Sequence, residues 1–141
     1  MEHSEVKILT NAFSIGNEKI DKEHQHIIDI YNELVHLSWS SSNSRKFAEI
    51  LSKMTDYSFY HFSREEKYMQ NILYPEIEKH KVYHRKYIVK VSMYNSDFFG
   101  PECPDPKDVV KFLEKWWMNH IQRADLDYER YKKANMLETD Y

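Results

Sequence analysis

Cysteine and glycine are nearly missing from this 141-residue chain, which has one Cys, two Gly and four Pro. The single Cys103 excludes an internal disulfide and fits a reducing compartment, so a cytoplasmic location is expected. No cluster of basic residues exists either: 20 Lys and Arg are interleaved with 23 Asp and Glu, for a net charge of −3. That removes the footprint of a nucleic-acid or anionic-membrane binder. No uncharged apolar run approaches the ~20 residues needed to cross a bilayer. The opening MEHSEVKILT lacks a basic stretch followed by an apolar one, so no secretory signal is expected. What is abundant is charge (30%), aromatic residues (15%) and histidine (eight). Scarce glycine with abundant charge suits long helices with solvated outer faces.

Three punctuations divide the chain: Ser40-Ser41-Ser42-Asn43-Ser44, Tyr74-Pro75, and Gly100-Pro101-Glu102-Cys103-Pro104-Asp105-Pro106. The residue before a proline is pushed out of the helical region. The spacing therefore predicts helices over about 18–39, 45–72, 76–98 and 107–131. Asp105 is a suitable N-cap for the last, with Pro106 at its first position. Short connections between long amphipathic helices imply antiparallel neighbours. The expected fold is all-α, an up-down-up-down antiparallel four-helix bundle in a single domain spanning 1–141. Its parts are an N-terminal arm (1–16), the bundle (18–131) and a C-terminal tail (132–141).

The apolar stripes carry the unexpected residues. The first reads Ile20, His24, Ile27, Tyr31, Leu34, Ser38, widened by Ile28 and Val35. The second reads Phe47, Ile50, Met54, Tyr57, His61, Glu65, Tyr68, Ile72. The third reads Ile77, His80, His84, Tyr87, Val91, Tyr94, Phe98, and the fourth Val109, Phe112, Trp116, His120, Ala124. A lone histidine on such a face is ordinarily a satisfied core residue. Five imidazoles and a carboxylate would have to satisfy one another completely, because a half-satisfied buried network is not tolerated. A cation removes the difficulty, since neutral imidazole is a common metal ligand and carboxylate balances charge. His3, His26 and His36 fall off the stripes and are expected to be solvated.

His61-x3-Glu65 and His80-x3-His84 each present two donors one turn apart. With His24 and His120 they make six, more than a tetrahedral structural zinc site uses. Asp125 follows His120 by five residues. A regular helix makes it a surface residue; as a seventh donor it requires a distorted helix, such as a π-bulge. Seven donors suit two adjacent metal ions. Ferritin-type di-iron bundles are carboxylate-rich and use Glu-x-x-His. Here imidazoles outnumber carboxylates, which favours a reduced metal pair and reversible chemistry.

Ile20-Asp21-Lys22-Glu23-His24, His61-Phe62-Ser63-Arg64-Glu65-Glu66, His80, His84 and Trp116-Trp117-Met118-Asn119-His120-Ile121 with Asp125 together resemble the hemerythrins, above all the bacteriohemerythrins. Ser14-Ile15-Gly16 and Tyr74-Pro75 are similar to that family as well, and the likeness runs from about 11 to 131. The resemblance implies two non-haem iron ions, bridged by Glu65, Asp125 and an oxo or hydroxo group. His80, His84 and His120 would be terminal ligands of one iron, and His24 and His61 of the other. Dioxygen would bind reversibly at the His24/His61 iron, for storage, transport or delivery, in a pocket formed by Ile27, Trp116, Trp117 and Ile121. The alternatives on the same scaffold are an enzyme (a peroxidase, a nitric oxide-handling protein or an iron oxidase) and an oxygen sensor acting through a separate partner. No second-sphere acid or base is recognisable in the sequence, which weighs against an enzyme. The expected partner is dioxygen, in a monomer or small homo-oligomer. Two positions depart from the family: Phe13 stands where it usually has Trp, and Trp117 where it usually has Leu.

Overall fold

In the computed structural model the described residues are 13–39 and 44–141. Most of the expected arm, with His3, and most of the expected serine loop lie outside them. Among the described residues the chain forms four long helical segments and no strand. They are α1 (Glu18–Ser38), α2 (Ser44–Asn71), α3 (Ile77–Asp97) and a last rod. The rod runs α4 (Pro106–Asn119), a π-helical stretch His120–Asp125, then α5 (Leu126–Ala134). Helix α1 packs against α2 and α4, and α2 against α3. This is the up-down-up-down bundle expected from the short connections. No described helix is long and apolar enough to cross a membrane.

Local chemistry sets the helix ends. Asn17 caps α1 by accepting from Ile20 N at 3.2 Å. Asp105 caps α4 by accepting from Lys107 N at 3.0 Å, with Pro106 in the first turn. Each side-chain oxygen satisfies a backbone donor that has no partner inside its helix. Before α1, Ser14 Oγ and Ile15 N both donate to Asp21, at 2.5 and 3.0 Å, fastening the end of the arm. Gly16 makes the intervening turn at φ 83°, where a Cβ would collide with Lys133 Nζ.

Three stripes bury largely as their periodicity predicts, with Tyr57, Ile77, Tyr94 and Phe98 only half-buried. The fourth needs correction. Val109 and His120 are buried as expected, but Phe112, Trp116 and Ala124 are half-buried, and Val110, Leu113, Trp117 and Ile121 take the core. The apolar arc of α4 is wide enough that two adjacent stripes compete. The bundle packs on one, and the other turns toward α3 and lines a groove of about 690 Å³.

Candidate metal centre

His24 of α1, His61 and Glu65 of α2, His80 and His84 of α3, and His120 and Asp125 at the two ends of the π-helical stretch are all buried. The π-helical stretch explains Asp125. One extra residue per turn returns a position five residues on to the face of the first. His120 Nε2 and Asp125 Oδ1 thereby lie 3.0 Å apart.

The donor atoms form two groups whose members all lie within 4.8 Å of one another. One contains Glu65, His80, His84, His120 and Asp125; the other contains His24, His61, Glu65 and Asp125. Both carboxylates belong to both groups. His80 Nε2 lies 3.0 Å from His120 Nε2, and His84 Nε2 lies 3.2 Å from it. Asp125 reaches His80 and His24 at 3.0 Å, and Glu65 reaches His84 at 3.1 Å and His61 at 3.5 Å. Three ring nitrogens so close cannot all be satisfied as donors to one another. His24 Nε2, His61 Nε2, Glu65 Oε1 and both Asp125 oxygens are buried without a hydrogen-bond partner. Buried polar atoms left this way are costly unless something else satisfies them. The donor set fits a pair of cations.

The charges are arranged accordingly. Burial opposes charge on His61, but Glu65 and Glu23 outweigh it and hold the imidazole pKa up at about 10. Burial likewise opposes charge on His84, and Glu65 and Glu66 raise it. Burial, against the pull of Asp125 and aided by His80 and His84, holds His120 down at about 4. Burial and mutual repulsion work against ionising Glu65 and Asp125, yet the surrounding histidines keep both well below the usual carboxylate range.

An outer layer escaped the sequence reading. Glu23 Oε1 accepts from His61 Nδ1 at 2.6 Å, and Glu66 Oε2 from His84 Nδ1 at 2.8 Å. Tyr128 donates to Glu65 Oε2 at 2.7 Å. Glu23 precedes His24 by one position and Glu66 follows Glu65 by one, so both fall off their own stripes and reach across to a neighbouring helix. Two acids flanking two stripe ligands were the available signal. Each fixes which ring nitrogen carries the proton and leaves Nε2 facing the centre.

The four expected pocket residues part company. Ile27, Trp117 and Ile121 are buried in the core, with the Trp117 ring centroid 6.1 Å from that of His61. Trp117 Nε1 donates to Tyr87 Oη at 3.1 Å. Trp116 instead stacks on His120 at 4.3 Å, at the edge of the groove and toward the other donor group. His26 and His36 are exposed, as expected.

The family model of the hemerythrin HHE cation-binding domain matches residues 15–131. The chain is similar to a bacteriohemerythrin of Stenotrophomonas maltophilia, 32% identical over 124 residues, covering 87% of this chain and 79% of that protein. It is similar to a myohemerythrin of Theromyzon tessulatum, 26% identical over 118 residues, covering 84% of this chain and 87% of that one. A crystal structure of a hemerythrin leucine-to-alanine mutant superposes with a TM-score of 0.82 at 26% identity, covering 92% of this chain and 97% of that one.

Proposed function

Because the chain belongs to the hemerythrin HHE cation-binding family, we propose that its buried cluster holds two iron ions and binds dioxygen reversibly, for storage, transport or delivery. The observation that carries this is the sharing of Glu65 and Asp125 by both donor groups. A carboxylate with one oxygen toward each group is suited to bridging two cations. Iron held there by these residues would supply the electrons needed for reversible dioxygen binding.

The residues divide the work. His80, His84 and His120 give one position three imidazoles, while His24 and His61 give the other two. The second position is therefore the one short of a protein ligand, and the natural place for an exogenous molecule. In this reading the buried Ile27, Trp117 and Ile121 supply the apolar wall that keeps water from that position. Tyr128 holds Glu65 through its Oε2 atom. Glu23 and Glu66 are engaged with imidazole Nδ1 atoms. They serve orientation, and this favours reversible binding over the turnover of a peroxidase, a nitric oxide-handling protein or an iron oxidase.

The test is an anaerobic iron titration followed by exposure to oxygen. Two irons per chain are expected, with a colourless reduced form that colours with oxygen and bleaches when oxygen is removed. Saturation at one iron, or colour that never reverses, overturns the reading.

A further inference from the structure

Beyond residue 131, where the family match ends, the chain folds back on the centre. Met136 turns it with φ 52°, and Leu137 N donates to Lys132 O at 3.1 Å. Leu137 and Tyr141 then pack against the core. Tyr141 Oη donates to Glu23 Oε1 at 2.6 Å and lies 3.5 Å from His61 Nδ1. Glu23 Oε1 is the same oxygen that accepts from His61. Its other oxygen accepts from Arg64 Nε at 2.7 Å, and the Arg64 guanidinium lies over the Tyr141 ring at 4.8 Å. The ring's edge meets Tyr68 at 5.4 Å. Glu23 is thus held on both oxygens by residues that touch no metal-donor atom except through it.

We infer that Tyr141, with Arg64, is a positioning residue for the His24/His61 metal position, acting through Glu23. The inference rests on the two-metal reading above. That position has only two imidazoles, so it depends most on how well each ring is aimed. A ligand histidine is aimed by the acceptor on its far nitrogen, and loss of such an outer partner weakens a metal by about 10–100-fold. At His84 the corresponding acceptor, Glu66, is half-buried and belongs to the helix that carries Glu65. At His61 the acceptor on α1 is clamped by a tail that follows the family-model match. The tail ties the metal position with two imidazoles to residues beyond the family-model match.

The experiment is a cobalt(II) titration of metal-free protein against a competing chelator, in the wild type and in Tyr141→Phe, Tyr141→Ala and Arg64→Gln. Tyr141→Phe keeps the ring and its packing on Arg64 and Tyr68 but removes the hydroxyl. It should weaken one of the two binding steps by about tenfold and leave the other unchanged, with little loss of melting temperature. Arg64→Gln should weaken the same step, and Tyr141→Ala should weaken it at least as much. Unchanged steps in Tyr141→Phe, with only Tyr141→Ala lowering the melting temperature, would make the tail mere packing and overturn the inference. Equal weakening of both steps would overturn it too. The wild-type curve is read separately: a single cobalt per chain counts against the two-metal reading itself.

Discussion

Tyr128 donates its phenolic hydrogen to Glu65 Oε2 at 2.7 Å, joining the helix after the π-helical stretch to the carboxylate at the middle of the bundle. Both residues are almost wholly buried. Tyr128→Phe preserves the packing and deletes the donor. A hydrogen bond to a charged group contributes about 1.5–3 kcal/mol. Denaturant unfolding of the metal-free protein should show a loss of that order, and metal uptake should weaken. A variant as stable as the parent would mean that Glu65 finds another donor.

Glu65 and His26 make a contrasting pair. Glu65→Ala removes a carboxylate shared by both donor groups, so iron content should fall from two toward none. His26 is exposed, its ring against Tyr57 at 4.3 Å, and His26→Ala should leave iron content unchanged. Metal analysis after anaerobic loading distinguishes them, and equal losses would place the ligands elsewhere.

Trp117 and Trp116 test which end admits oxygen. The Trp117 ring is 6.1 Å from that of His61 and 6.3 Å from that of His120, whereas Trp116 stacks on His120 at 4.3 Å. Trp117→Leu should accelerate oxygen dissociation and autoxidation, because water and protons then reach a drier site. It also breaks the bond to Tyr87 and leaves a cavity, with an expected stability loss of about 2–3 kcal/mol. Trp116→Leu should leave the exchange rate alone. Stopped-flow oxygen release decides, and the opposite pattern would move the entry point to the α3/α4 groove.

The metal-free protein should be most stable near neutral pH. Folded His61 keeps its proton up to about pH 10, whereas the unfolded imidazole releases it near 6.5. Its contribution is therefore complete below 6.5 and is lost as pH rises toward 10, by at most about 1.4 kcal/mol per pH unit. His84 acts in the same direction. Glu65 and Asp125, both held low, stabilise above their unfolded values of 4.5 and 3.8 and lose that as pH falls. His120, neutral down to about 4, also favours the unfolded chain as pH drops below 6.5. Urea melts across the range should show the maximum. Calorimetry in two buffers should also show proton release on metal binding near neutral pH, since His61 must lose its proton. Stability that climbs steadily from neutral to pH 10 would contradict the His61 assignment.

The bundle was legible because helical period, proline breaks and capping residues all agree on it. Six of the seven converging residues were legible for another reason: polar groups on apolar stripes demand an explanation. Asp125 was legible only on condition of a distorted helix, and the π-helical stretch meets that condition. The α4 stripe was misjudged because Phe112 and Trp116 are as apolar as Val110, Leu113 and Trp117, and pattern alone cannot rank two such arcs. Glu23 and Glu66 were not recognisable as second-sphere acids, because their partners are on other helices. Tyr141 gave no signal, since a tail's return path leaves no periodicity.

The six residues from His120 to Asp125 act as a phase shift in the last rod. One surplus residue rotates all that follows by about 100° relative to an uninterrupted α-helix. Tyr128 over Glu65, Glu129 against Tyr68 and the launch angle of the tail toward Glu23 all inherit that offset. The region is consequently far more sensitive to length than to composition. Replacing exposed Gln122 or Arg123 alters a surface, whereas deleting either one turns the centre's carboxylate and its supporting tyrosines away together. Insertions and deletions should be tolerated between the helices, at Gly100–Pro104, and excluded from this stretch.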